Sequence, residues 1–101
     1  MIIYNVTTQV TWAIHDAWLE WMKLQHIPEV MNTGMFDHYQ LVKLLDTEEN
    51  DGPTYAIQYF ALTEENYREY LEKHAEPLRQ KSFERWGDQF VAFRSAMEVI
   101  N

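Results

Sequence analysis

Cysteine is absent from the chain. No disulfide can staple it and no thiolate can serve as nucleophile or metal ligand, which fits a reducing, cytoplasmic setting. Glycine and proline are scarce, at three residues each. Gly34, Gly52 and Gly87 stand alone, so neither a dinucleotide-binding fingerprint nor a phosphate-binding loop can be built. Positive charge is equally thin: eight Lys and Arg face sixteen Asp and Glu, for a net charge of −8. That field repels a phosphate backbone and no basic cluster offsets it, so nucleic acid is disfavoured and not expected as a partner. Long apolar runs are missing too. The opening M-I-I-Y-N-V-T-T-Q-V has neither a basic leader nor a small-residue cleavage site, and neither a signal peptide nor a membrane span is expected.

What the chain does have is apolar and aromatic side chains, at 47% and 15% of its 101 residues. This is enough for one domain over 1–101 to bury a core without staples. Residues 2 to 10 alternate with β-branched residues dominating, which predicts a strand. From Trp12 to Gln25 the period changes. Ile14, Trp18, Trp21, Met22 and Gln25 recur at helical spacing, with Asp16, Glu20 and Lys23 off the stripe. Pro28 disfavours helical geometry at Ile27, so a break or a kink is expected there, with a short restart at Pro28 that stops at Gly34. His26 would then sit at a helix C-terminus, where it can cap.

Residues 35–45 predict a second strand, D-T-E-E-N-D-G-P a tight acidic turn, and T-Y-A-I-Q-Y-F-A-L a third strand. Thr63 is a good N-cap, followed by Glu64 and Glu65 at the positive end of a helix. Tyr67, Tyr70, Leu71, His74 and Leu78 form its apolar stripe. Pro77 interrupts the helix, which resumes and ends at Gly87 before a last strand over 89–99. The order is β-α-β-β-α-β, the split βαβ arrangement of ferredoxin-like α+β folds: a four-stranded antiparallel sheet with two kinked helices on one face. His26, Pro28, Gly34 and Phe36 echo His74, Pro77, Gly87 and Phe90, as two pseudosymmetric halves would.

The second sheet face should be polar if it met water. Instead Tyr55, Ile57 and Tyr59 point one way in strand three, and Ala56, Gln58 and Phe60 the other. In strand four Phe90 and Ala92 oppose Val91, Phe93 and Met97. Both faces are apolar, and a second copy packed face to face is the expected cover, with a different protein as the competitor.

Candidate site residues follow from polarity in the wrong place. Trp18, Trp21 and Met22 are core by position, with Trp18 and Met22 also able to wall a pocket. Asn5, Gln58 and Arg94 are polar in mid-strand, and inward polar groups need partners or form a pocket floor. Tyr59 can donate a hydrogen bond there. His26 is a further candidate, and His74 falls on the inner stripe of helix two. His15 and His26 are separated by roughly 16 Å of helix and cannot share a metal within one chain. No metal-ligand spacing is present. Ser82 and Ser95 lack a glycine-rich elbow, so no nucleophile is assigned.

M-I-I-Y-N-V-T, W-L-E-W-M-K-L-Q-H-I-P-E-V, T-Y-A-I-Q-Y-F, K-H-A-E-P-L-R-Q and F-V-A-F-R-S together resemble a bacterial family of short proteins classed only as a domain of unknown function. The resemblance runs over nearly the whole chain and implies a ferredoxin-like subunit of the dimeric α/β-barrel kind, with no activity to carry over. More loosely, Q-Y-F-A-L-T-E-E-N-Y-R-E-Y-L-E-K-H resembles the antibiotic-biosynthesis-type monooxygenases. Asn5 stands where heme-degrading relatives place an asparagine. Tyr59 and Phe60 stand where that family's pattern has a tryptophan.

Three readings result. The leading one is a cytoplasmic homodimer joined through the sheet face, binding a small molecule through Trp18, Met22, His26, Gln58, Tyr59 and Arg94, with no cofactor implied by any motif. The second, resting on the looser resemblance, is a cofactor-independent or heme-linked monooxygenase, with His74 as base or ligand and Asn5 as orienting donor. The third is an interaction module that uses the apolar sheet face.

Overall fold

In the computed structural model, which describes residues 1–101, four strands form one antiparallel sheet. The central strands are β1 (Ile2–Val10) and β3 (Thr54–Ala61); β2 (His38–Lys43) and β4 (Phe90–Glu98) form the edges, in the order β2-β3-β1-β4. Asn5 lies opposite Gln58 on one side and Ser95 on the other, and Gln58 lies opposite Gln40. The register fixes which side chains share a face. Tyr4, Val6 and Thr8 look toward the helices together with Ile57, Tyr59, Ala92 and Arg94. Ile3, Asn5 and Thr7 look away with Ala56, Gln58, Phe60, Phe93, Ser95 and Met97.

The ferredoxin-like α+β architecture read from the sequence is the one the chain adopts. Strand β2 begins later than the apolar run suggests. Phe36 leaves the sheet edge for the core, where its ring lies 4.8 Å from Tyr70 and 5.2 Å from Tyr59. Only at His38 does regular pairing begin.

The first helical segment decides between the break and the kink expected ahead of Pro28. It does not break at Ile27: α1 (His15–Trp21) passes into a π-helical turn at Met22–His26 and continues as α2 (Ile27–Met31). The Ile27 N–H donates to the Met22 carbonyl, five residues back. A proline inside a helix collides with the carbonyl four residues earlier and offers no N–H. Widening the turn ahead of Pro28 moves that carbonyl aside, so the axis shifts without the helix stopping. His26 is therefore a mid-helix residue and not a C-terminal cap.

The second helical segment does break. Thr63 caps α3 (Glu64–Lys73) by accepting the Asn66 N–H at 3.1 Å. At His74 the backbone leaves helical geometry, and α4 (Ala75–Trp86) starts afresh with Pro77 in its first turn, where a missing N–H costs nothing. Gly87, at φ +59°, ends it.

Between helices and sheet lies a core rich in rings: Tyr4, Trp18, Phe36, Tyr55, Tyr59, Tyr70 and Trp86 are all buried, with Met22, Ile27, Val30, Ile57 and Leu78 filling between them. The β2–β3 turn folds back against the end of β1, where the Val10 N–H donates to the Pro53 carbonyl at 3.2 Å and the Trp12 N–H to that of Asp51.

Candidate functional site

Aromatic side chains are too wide to interdigitate fully, and where α1, α2 and α4 meet the sheet they leave a cavity of about 50 Å³. At ~10–15 Å³ per water-sized group, it admits about four. Val6, Met22, Val30, Ile57, Leu78, Phe90 and Ala92 form apolar walls, and the remaining lining is polar or amphipathic.

Five of the sequence-proposed ligand residues meet there: Trp18, Met22, His26, Tyr59 and Arg94 all line the cavity. Gln58 does not. Its pairing with Asn5 puts both on the opposite face, where Gln58 accepts a hydrogen bond from Gln40 Nε2 at 3.2 Å. Asn5 Nδ2 donates to Thr7 Oγ1 at 2.9 Å and to Ser95 Oγ at 3.4 Å. The mid-strand polar residues thus divide into two sets: a stripe across the open face, and Arg94 with Thr8 on the helix side.

His74 stands outside the cavity. Its ring stacks on Tyr70 with centroids 6.2 Å apart, on the helical layer, while Asn5 lies beyond the sheet. One chain does not bring His74 and Asn5 together as base and orienting donor.

The wide turn at Met22–His26 sets the His26 ring against Trp21, at 4.8 Å and 20° between planes. Trp21 in turn meets Trp86 edge-on at 5.9 Å, and the Arg85 guanidinium covers Trp86 at 4.1 Å. Burial lowers the His26 pKa from its ordinary 6.5 to about 4, with Arg94 and Lys81 acting in the same sense and Glu29 opposing them. His26 is accordingly a neutral imidazole at physiological pH. Its Nδ1 is buried without a hydrogen-bond partner, an uncommon condition for an inward polar atom. Beside it an ion pair of Lys81 with Glu29, at 2.5 Å, ties α4 to α2.

Sequence reasoning passed over Arg79, Tyr4, Tyr70 and Ser82, which also line the cavity. A signal was available. Ala75, Leu78, Arg79, Ser82 and Trp86 recur at i, i+3, i+4, i+7 and i+11, which sets an arginine and a serine on the inner stripe of α4. Arg79 Nη2 donates to Tyr4 Oη at 3.0 Å, while its Nε is buried and unpaired. Burial raises the Tyr59 and Tyr70 phenols above the usual range, with neighbouring tyrosines adding to it, so both remain hydrogen-bond donors. Elsewhere, His15 Nε2 lies 2.7 Å from Tyr55 Oη and its ring stacks on the same tyrosine, which accounts for its inward turn. No three His, Asp or Glu side chains gather in a metal-binding arrangement.

A porphyrin does not fit this site. Even the pockets of drug-sized ligands run to roughly 300–1,000 Å³, and the cavity is several-fold smaller. His74, stacked on Tyr70 outside the cavity, is not placed to act as a proximal ligand to a group seated there.

Strand order, register and helix placement define a ferredoxin-like α+β subunit, and solved structures of that kind share it. A dimeric ferredoxin-like protein from an uncultured marine organism superposes with a TM-score of 0.67 at 10% identity, covering 100% of this chain and 96% of its own. A candidate antibiotic biosynthesis monooxygenase from Deinococcus radiodurans gives 0.63 at 15% identity, covering 100% and 94%. A variant of MhuD, solved with two manganese protoporphyrin IX molecules per active site, gives 0.59 at 14% identity, covering 98% and 95%. At such identities the likeness is one of fold. By sequence the chain belongs to the family DUF4286, a domain of unknown function, whose model matches residues 1–100. A search of curated proteins found no match.

Proposed function

We propose that the protein works as a homodimer joined through its open sheet face, and that each subunit binds a small molecule in the cavity between sheet and helices. The observation that carries the binding reading is the pair of unpaired, buried polar atoms on two residues that line one cavity: Nδ1 of His26 and Nε of Arg79. A polar atom withdrawn from water without a partner costs roughly 1–3 kcal/mol. A ligand that reached these atoms would recover part of that cost, whereas a cavity kept only by imperfect packing would have apolar walls throughout.

The dimer reading is supported by the open face, where Val91 and Phe93 are 71% and 64% exposed, and by the dimeric state of two ferredoxin-like proteins that share the fold. A monooxygenase reading has no comparable support, since His74 and Asn5 lie on different sides of the sheet.

The test is native mass spectrometry of protein purified gently from its own cells, beside Ala92→Leu, which fills the cavity from its β4 wall. A dimer carrying an extra mass, lost in the variant while the circular dichroism spectrum is kept, is the expected result. A monomer would overturn the assembly, and an extra mass unaffected by Ala92→Leu would overturn the placement of the site.

A further inference from the structure

From the charge of the cavity we infer that its ligand is a compact carboxylate, held by Arg79 and Arg94 against an apolar wall. The inference rests on the binding reading given above and names the class of molecule. The chain carries twice as many acidic as basic residues, yet the cavity lining includes two arginines and not one aspartate or glutamate. That inversion is local and specific. Arg79 arrives from the inner stripe of α4, and Arg94 from the helix-facing side of β4, where it lies opposite Val6.

Neither guanidinium has a carboxylate within ion-pairing distance. The chain's ion pairs engage Arg68, Lys43, Lys73 and Lys81, besides His15 and His38, and leave Arg79 and Arg94 out. Glu76 stands with both at the outer mouth without closing on either. Arg79 spends one N–H on Tyr4 and keeps its buried Nε unpaired. Arg94 is exposed at the mouth, where it and Phe90 border both the cavity and the shallow depression outside. Two planar guanidinium groups with free N–H donors match a carboxylate, whose two oxygens accept them in pairs.

The rest of the lining argues for a carboxylate with an organic remainder over a bare inorganic anion. Tyr59 and Tyr70 offer neutral hydroxyls, while Trp18, Met22, Val30 and Leu78 present surface that a phosphate would leave unmatched. At about four water-sized groups the ligand is a short-chain acid.

The experiment is a titration followed by ¹H–¹⁵N NMR, reading the Trp18 indole and the backbone amides of the cavity strands. The probes are sodium propionate, propionamide and inorganic phosphate, each at constant ionic strength. Propionate is expected to shift these signals saturably, with propionamide and phosphate at least tenfold weaker. Arg94→Met, at an exposed position, should lose propionate binding at least tenfold with its amide spectrum otherwise kept. Arg79→Met should do the same, but it also removes the bond to Tyr4, so Arg94→Met decides the matter if that variant unfolds. Propionamide binding as well as propionate would overturn the carboxylate inference and leave the pocket standing. Phosphate binding equally well would replace it with a general anion site. No saturable shift from any of the three probes would overturn both the inference and the pocket.

Discussion

His26 is the residue where burial and chemistry conflict most openly. The unfolded chain takes up its proton near pH 6.5, whereas the folded protein resists until about pH 4. Between those values the unfolded state holds one more proton, so stability is full above pH 6.5 and falls as the pH drops toward 4. The shift corresponds to about 3 kcal/mol lost across that window. Urea unfolding at pH 7 and pH 4.5 should show His26→Gln losing markedly less stability over this interval than the parent. Equal losses in the two proteins would place the acid sensitivity in the carboxylates alone. At this scale the sequence was only partly legible. Trp18, Met22, His26, Tyr59 and Arg94 could be singled out because each is conspicuous in its own element. Gln58 was grouped with them because alternation within a strand does not say which face the helices cover. Arg79 escaped because an arginine in a charged helix reads as a surface residue until the full stripe of α4 is traced.

Elements show how local sequence chooses between breaking and bending. Both helical segments carry a proline, yet only the one at Pro77 parts. The periodicity of hydrophobic residues revealed every strand and both helical segments, but it cannot distinguish a widened turn from a stop, since both displace the stripe by a fraction of a turn. The β2–β3 turn makes a sharper demand. A Cβ at Gly52 would lie 1.6 Å from the Val10 carbonyl oxygen, a backbone atom with nowhere to go. At Gly34, with φ +78°, nothing stands within 4 Å. Gly34→Ala should therefore cost only about 1–2 kcal/mol, from backbone conformation alone. Gly52→Ala should cost more than about 3 kcal/mol or prevent folding, because the turn must leave the end of β1. Chemical denaturation of the two variants checks the order, and equal costs would mean that the turn yields freely.

For the whole molecule, the sheet is the organising surface, with one side committed to the core and the other still to be covered. Reading Phe93 and Met97 against Phe90 and Ala92 was sufficient to see this in the sequence, because β4 alternates without a bulge. On the open face a polar row of Gln40, Gln58, Asn5 and Ser95 runs between an apolar row with Phe60, Ile3 and Met97 and a mixed one in which Thr7 stands between Ala56 and Phe93. If two copies pack there, that row sets their register, since a shift would oppose amides to rings. Phe93→Glu should turn a sedimenting dimer into a monomer that keeps its secondary structure. A parent protein that already sediments as a monomer would refute the assembly. No helix of the protein is long and apolar enough to cross a membrane.

The widened turn at Met22–His26 has a consequence for how the chain can change in length. A π turn holds one residue more than an α turn, and Lys23, Leu24 and Gln25 within it are all exposed. Deleting Leu24 would return the segment to a uniform helix, but it would also bring a carbonyl back beneath the ring of Pro28. The deletion alone should therefore destabilise the protein, while the deletion combined with Pro28→Ala should restore most of the loss. No such pairing can rescue a deletion inside β3, where losing one residue turns every later side chain to the other face. Of the two kinds of element, the helix can shorten by a residue, provided its proline goes with it.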